Sequence, residues 1–153
     1  MSRARRAFIG LLAAAALLVV GVGPAQAETV RFEATFDESA CEIPFPAVCG
    51  TGVVAQFGSA TLGGFPDFPA CIALSLRSEV IITVAGGTLT ACQIGSAFAS
   101  DGRRGVLSGP FTVTGGTGVF AGASGGGNHT CEIISLGSTS IIRCQYSGTL
   151  TLY

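Results

Sequence analysis

Apolar and polar residues alternate with a period of two along most of the chain beyond residue 28. In Thr29–Asp37, Val30, Phe32, Ala34 and Phe36 alternate with Thr29, Arg31, Glu33, Thr35 and Asp37. That is the pattern of a strand with one face in a core and the other in water. Gly109–Thr114 sets Phe111 and Val113 against Thr112 and Thr114, and the tail Tyr146–Tyr153 repeats the pattern with Tyr146, Gly148, Leu150 and Leu152. Short apolar runs predict further strands over Cys71–Leu76, Val80–Ala85 and Thr88–Ile94, the last two joined at Gly86-Gly87. Asp101-Gly102 and Gly115-Gly116 mark other turns. No segment beyond residue 28 carries an amphipathic helical period. About nine short strands and tight turns predict an all-β fold, an antiparallel sandwich or barrel.

One strand pair can be set in register from the residues alone. Cys131–Leu136 and Thr139–Cys144 flank Gly137-Ser138, a good two-residue type II′ turn. Opposite residues then have numbers summing to 275. Ile134 faces Ile141, Glu132 faces Arg143, and Cys131 faces Cys144 at a non-hydrogen-bonded site where Cα atoms lie ~4.5 Å apart, close enough for a disulfide. The other four cysteines, Cys41, Cys49, Cys71 and Cys92, allow three pairings, of which Cys41–Cys49 with Cys71–Cys92 is preferred. A metal site would need Cys-x-x-Cys pairs or Cys/His clusters, and the sequence has neither. An even count of six in a small domain reads as three disulfides and an oxidising destination.

The N-terminus supports that destination. Arg3, Arg5 and Arg6 precede an uncharged run from Ala7 to Gly23, and Pro24-Ala25-Gln26-Ala27 offers an A-x-A cleavage site. Residues 1–27 are therefore expected to be a signal peptide, with residues 28–153 forming one secreted domain. An uncleaved anchor is the rival reading, and Arg5-Arg6 also partly resembles a twin-arginine signal, so the export route stays open. The exported part keeps five arginines against nine acids, a net charge of −4, with no lysine. Nucleic acid and anionic membrane surfaces are thereby poor partners, and no membrane association is expected after cleavage. Few charged residues and a positive mean hydropathy exclude disorder. The lysine-free, Ala-, Arg- and Gly-rich composition looks bacterial.

Gly-Pro-Phe-Thr-Val-Thr-Gly-Gly-Thr-Gly-Val-Phe-Ala-Gly-Ala-Ser-Gly-Gly over 109–126, followed by Tyr146-Ser-Gly-Thr-Leu-Thr-Leu152, resembles the allene oxide cyclase/dirigent-like superfamily. The resemblance covers about 45 of the exported residues and concerns mostly glycines and one Phe. It implies a small antiparallel β-barrel of about eight strands, here stapled by disulfides, and an apolar cavity for a hydrophobic ligand. None of the family's functional residues can be matched to positions in this chain.

Catalytic motifs are few. Gly122-Ala-Ser124-Gly-Gly126 matches G-x-S-x-G, but nothing after it reads as a helix, so a Ser124–His129 pair is rejected. Ala121 breaks a dinucleotide loop at Gly116-Thr-Gly118, and no cofactor is expected. A calcium site gathered at one end from Asp37, Glu38, Glu42 and Asp67 has no recognisable ligand loop behind it, so a scattered acidic surface is preferred. Asn128-His-Thr130 is a glycosylation sequon by pattern. Two loops stand out, Asp37–Gly50 and Gly63–Pro69, the second carrying Phe65 and Phe68.

The sequence thus points to a secreted barrel that binds a small apolar ligand without catalysis, inside the barrel or at its mouth near Phe65 and Phe68, a reading that a filled interior would sink. One rival is an enzyme holding a hydrophobic substrate, favoured if the pocket contains His129 or a buried acid. The other is a protein that meets macromolecules through its loops, favoured by a solid core and an exposed apolar loop patch. The oligomeric state is left open.

Overall fold

The computed structural model describes residues 26–41, 48–66, 69–73, 78–94, 96–99, 104–136 and 139–153. Its strands are β1 (Glu28–Ala40), β2 (Val48–Val54), β3 (Gly58–Pro66), β4 (Ser78–Val84), β5 (Gly87–Gln93), β6 (Ser96–Ala99), β7 (Arg104–Gly116), β8 (Ser124–Leu136) and β9 (Thr139–Leu152). A five-residue helix, α1 (Pro69–Ala73), lies between β3 and β4, and a 3-10 turn, Gly118–Phe120, between β7 and β8. The sheet runs β5-β4-β3-β2-β1-β9-β8-β7 and closes by pairing β5 with β7, giving an eight-stranded antiparallel barrel. β6 pairs with Gly105–Ser108, ahead of the stretch of β7 that β5 occupies, and so lengthens the wall at one end. Among the described residues no helix is long and apolar enough to cross a membrane.

Period-two alternation builds this barrel as expected. Phe32, Ala34 and Phe36 of β1 point inward, and so do Tyr146 and Leu150 of β9 and Phe111 and Val113 of β7. Their rings fill the middle of the barrel: Phe32 meets Phe111 edge-on at 5.8 Å, Phe111 meets Tyr146 at 5.8 Å, and Phe36 meets Tyr146 at 5.9 Å. Edge-to-face pairs of this kind add to the burial of apolar surface itself. The β8–β9 pair has the expected register, Cys131 opposite Cys144, Glu132 opposite Arg143 and Ile134 opposite Ile141, and holds it without a slip from Leu136↔Thr139 to Ser124↔Thr151.

All three disulfides pair as preferred, Cys41–Cys49, Cys71–Cys92 and Cys131–Cys144. They mark a chain that matures in an oxidising compartment. Each has a different position. Cys131–Cys144 joins adjacent strands inside the barrel with its Cα atoms 3.9 Å apart. Cys71–Cys92 ties α1 to the outer wall, where both sulfurs are buried against Ile94. Cys41–Cys49 closes the connection between β1 and β2.

Several expected boundaries differ. The strand placed at Cys71–Leu76 begins as α1, because Pro69 favours a first helical turn and the disulfide holds that turn on the wall. Its remaining residues lie outside the described ones, as do the Gly137-Ser138 and Asp101-Gly102 turns and the signal peptide up to residue 25. Gly63–Pro66 belongs to β3 rather than to a loop, since Phe65 pairs with Glu79 and Pro66, which has no N–H to donate, ends the strand. The Asp37–Gly50 connection is shorter than expected, because β1 runs on to Ala40 and β2 starts at Val48. Thr139–Cys144 and the Tyr146–Tyr153 tail are one continuous strand.

The motif at Thr117–Gly125 closes the barrel's base. Gly118 has φ +59°, and a Cβ there would sit 2.0 Å from the Gly86 carbonyl oxygen, so only glycine lets this turn pack on the β4–β5 turn. The tight turn drives Phe120 into the barrel, where it is fully buried and packs on Phe57 at 4.7 Å. The opposite end carries the β1–β2 and β3–β4 connections and is the mouth.

Candidate mouth site

With rings in the middle and Phe120 at the base, a pocket of about 130 Å³ lies at the mouth among the described residues. It is lined by Glu38 of β1, Val48 of β2, Leu62, Gly64, Phe65 and Pro66 of β3, Ser78 and Val80 of β4, and Gln93 of β5. Strand register brings these residues together. Glu38 lies opposite Gly50, Gly50 opposite Leu62, Pro66 opposite Ser78, and Ser78 opposite Gln93.

Glu38 continues the inward series Phe32, Ala34, Phe36 and is 9% exposed. Gly50 makes room for it, since a Cβ at that position would lie 2.9 Å from Glu38 Cγ. Glu38 Oε1 is buried and has no hydrogen-bond partner among the described residues. Loss of water pushes the carboxyl up from its ordinary 4.5 to about 7. The sulfurs of Cys131 and Cys144 lie within 4.8 Å of it; joined to each other, they are not metal ligands.

Gln93 is the second polar group. Tyr146 reaches across the barrel from β9, and its hydroxyl donates to Gln93 Oε1 at 3.1 Å. Burial, with the Glu38 carboxyl nearby, raises the Tyr146 pKa, so the phenol stays protonated and remains a donor. That contact takes one lone pair of the amide oxygen, and the amide N–H2 adds two donors to a residue that lines the pocket. The Ser78 hydroxyl donates to the Gln93 backbone carbonyl at 3.5 Å.

Of the residues singled out in the sequence, Phe65 lines this pocket and Phe68 lies outside the described residues. His129 is 1% exposed inside the barrel, stacked on Tyr146 at 5.5 Å and not part of the pocket. Neither ring nitrogen has a hydrogen bond of normal geometry, although a Gly109 backbone group lies close enough to favour the charged form slightly. Desolvation is the larger effect and holds the imidazole below its usual range. Ser124 is exposed at the start of β8, five residues from His129 along an extended strand and on its other face. That is roughly 16 Å, so the two cannot act as a catalytic pair.

The expected acidic cluster separates too. Asp37 points outward, and Arg143 Nε donates to its Oδ1 at 2.8 Å, which lowers the Asp37 pKa, whereas Glu38 points inward. Glu42 and Asp67 lie outside the described residues. Asn128 and Thr130 of the sequon are exposed on β8, beside an open groove on the outer wall shared with Glu33, Thr35 and Gln145. That groove is wider than the mouth pocket, but none of the buried side-chain atoms that lack partners belongs to it.

Sequence reading placed Glu38 on a scattered acidic surface and missed its burial in the mouth, and it did not single out Gln93. The signal was strand parity: even positions from Phe32 onward face the core, and Glu38 is the next one after Phe36. Comparison with protein families, curated proteins and solved structures finds no match for this chain.

Proposed function

We propose that the protein is exported by cleavage before Glu28 and acts outside the cell as a binding module for a small, mainly apolar molecule held at the barrel mouth. One observation carries this reading: Glu38, a carboxyl buried with an unpartnered oxygen, lines a pocket whose other walls are largely apolar. A buried polar atom without a partner costs about 1–3 kcal/mol, and such a cost is commonly retained where a ligand meets it. Leu62, Val80, Phe65 and Val48 supply the apolar surface, and burying ligand against it would contribute ~25 cal/mol per Å². The resemblance of Gly109–Gly126 to barrels that hold hydrophobic ligands supports the same reading. The filled middle of the barrel counts against a ligand held inside it and favours the rival in which loops meet a macromolecule; the small-ligand reading now rests on the mouth pocket alone.

An enzyme is the second reading, favoured by a pocket acid held at about 7, where proton transfer is efficient. Binding is preferred because Glu38 is the only acid lining the described pocket, His129 lies outside it and the Ser78 hydroxyl is already committed.

Native mass spectrometry of the protein secreted by its own host tests the proposal. A non-covalent adduct on the wild type, released on denaturation and absent from Glu38→Leu, is expected. An adduct of equal occupancy on both proteins would place the ligand elsewhere, and a bare wild-type protein would count against a binding module.

A further inference from the structure

The geometry points to a ligand that presents a neutral oxygen acceptor, such as a ketone or ether oxygen, which takes hydrogen bonds from both Glu38 and Gln93. This inference rests on the mouth-pocket reading and specifies what the pocket recognises. Three observations lead to it. Tyr146 donates to Gln93 Oε1 and takes one of its lone pairs, so the amide N–H2 is the donor group of a residue that lines the pocket. Glu38 has a buried oxygen with no partner among the described residues, and no Lys, Arg or His is among the described residues that line the pocket. A carboxylic acid in such a place holds its proton up to about pH 7 and below that pH adds a second donor.

Two donors lining one largely apolar pocket select among ligand chemistries by what each would leave unpaired. An anion would meet the Glu38 carboxyl with no cation among the described lining residues to offset either charge. An ammonium group would place its own N–H donors beside those of Gln93 and would favour the ionised form of Glu38, the form that burial opposes. A hydrocarbon would leave both donors without acceptors. A neutral oxygen with two lone pairs satisfies both at once. Gly50 contributes by leaving space for the Glu38 side chain within the wall. A pocket of about 130 Å³ is a few water volumes in size, so it would hold the oxygen-bearing end of a ligand or a small ring.

The test uses the oxidised protein and three probes of similar size, cyclohexanone, cyclohexane and cyclohexylammonium, titrated at pH 6 and followed by backbone amide NMR. Cyclohexanone is expected to shift the amides of Leu62, Gly64, Phe65 and Gln93 and to bind about tenfold more tightly than cyclohexane, the difference two neutral hydrogen bonds supply. Glu38→Gln, which keeps a donor, should retain most of that preference. Glu38→Leu should reduce it to about threefold or less while cyclohexane still binds.

Equal binding of ketone and hydrocarbon, or tightest binding of the ammonium probe, would overturn the inference and leave the mouth pocket standing. No shift at the mouth with any probe would overturn the pocket reading as well. A Glu38→Leu spectrum with the wild-type dispersion shows that lost preference is not lost folding.

Discussion

Two buried titratable side chains, Glu38 and His129, set how stability should respond to pH, and they act in opposite senses. Glu38 has a folded pKa of about 7 against 4.5 when solvated, so the folded protein holds that proton more tightly than the unfolded chain. Its contribution is complete below pH 4.5 and is lost as pH rises through 7, on the order of 3 kcal/mol by pH 8. His129 has a folded pKa below 6.5, so its contribution is complete above that value and is lost as pH falls beneath it. Replacing Glu38 by Gln removes the first effect. Urea unfolding should show Glu38→Gln more stable than the wild type by about 2 kcal/mol at pH 8 and no more stable at pH 4. Equal stability at pH 8 would mean that the carboxyl is paired or solvated. Neither residue's burial was evident from its type, since acids and histidines usually lie at surfaces. Their positions in strand parity were the readable signal: Glu38 follows Phe36, and His129 precedes Cys131 on the same face.

The β8–β9 pair and the Gly118–Phe120 turn were read from the sequence with unequal success. The pair was legible because an acid–base match, a cysteine match and a turn all demanded one register, and the structure has that register over the whole length of both strands. Arg143 nevertheless chooses Asp37 across β1 as its close partner, not Glu132. Two neighbouring strands compete for each outward side chain, and pairwise reasoning about one hairpin omits the second. The glycine-rich turn was recognised as a backbone shape, but its purpose depends on contact with Gly86, 32 residues earlier, which no local pattern contains. That purpose is to seat Phe120. Phe120→Ala should cost about 3–5 kcal/mol, as large cavities in cores do, whereas Val119→Ala, at an exposed site on the same turn, should cost less than about 0.5 kcal/mol. Thermal or urea unfolding of the two variants checks this. A small loss for Phe120→Ala would mean that the base closes without its ring.

At the level of the whole molecule, alternation made the all-β class readable and the resemblance suggested eight strands, but how the barrel is occupied was beyond both. Closure through β5 and β7 joins segments that are not neighbours in sequence, with β6 between them. Whether an eight-stranded barrel is hollow depends on how far each inward ring reaches. Here Phe32, Phe36, Phe111 and Tyr146 meet in the middle, so the free volume lies at the mouth. The one polar group projecting across that packed interior to the pocket is the Tyr146 hydroxyl, through Gln93. Phe65 was picked out as an aromatic near a mouth and does line the pocket, though from a strand and not from a loop. The central claim is that Glu38 stands in this mouth as a protonated acid without a partner, ready for a ligand. Carbon-13 NMR titration of the Glu38 side-chain carboxyl in the oxidised, ligand-free protein measures that directly. A midpoint at about 7 is expected; a midpoint at the solvated value of about 4.5 would contradict it, because a carboxyl that ionises so readily is already hydrated or paired.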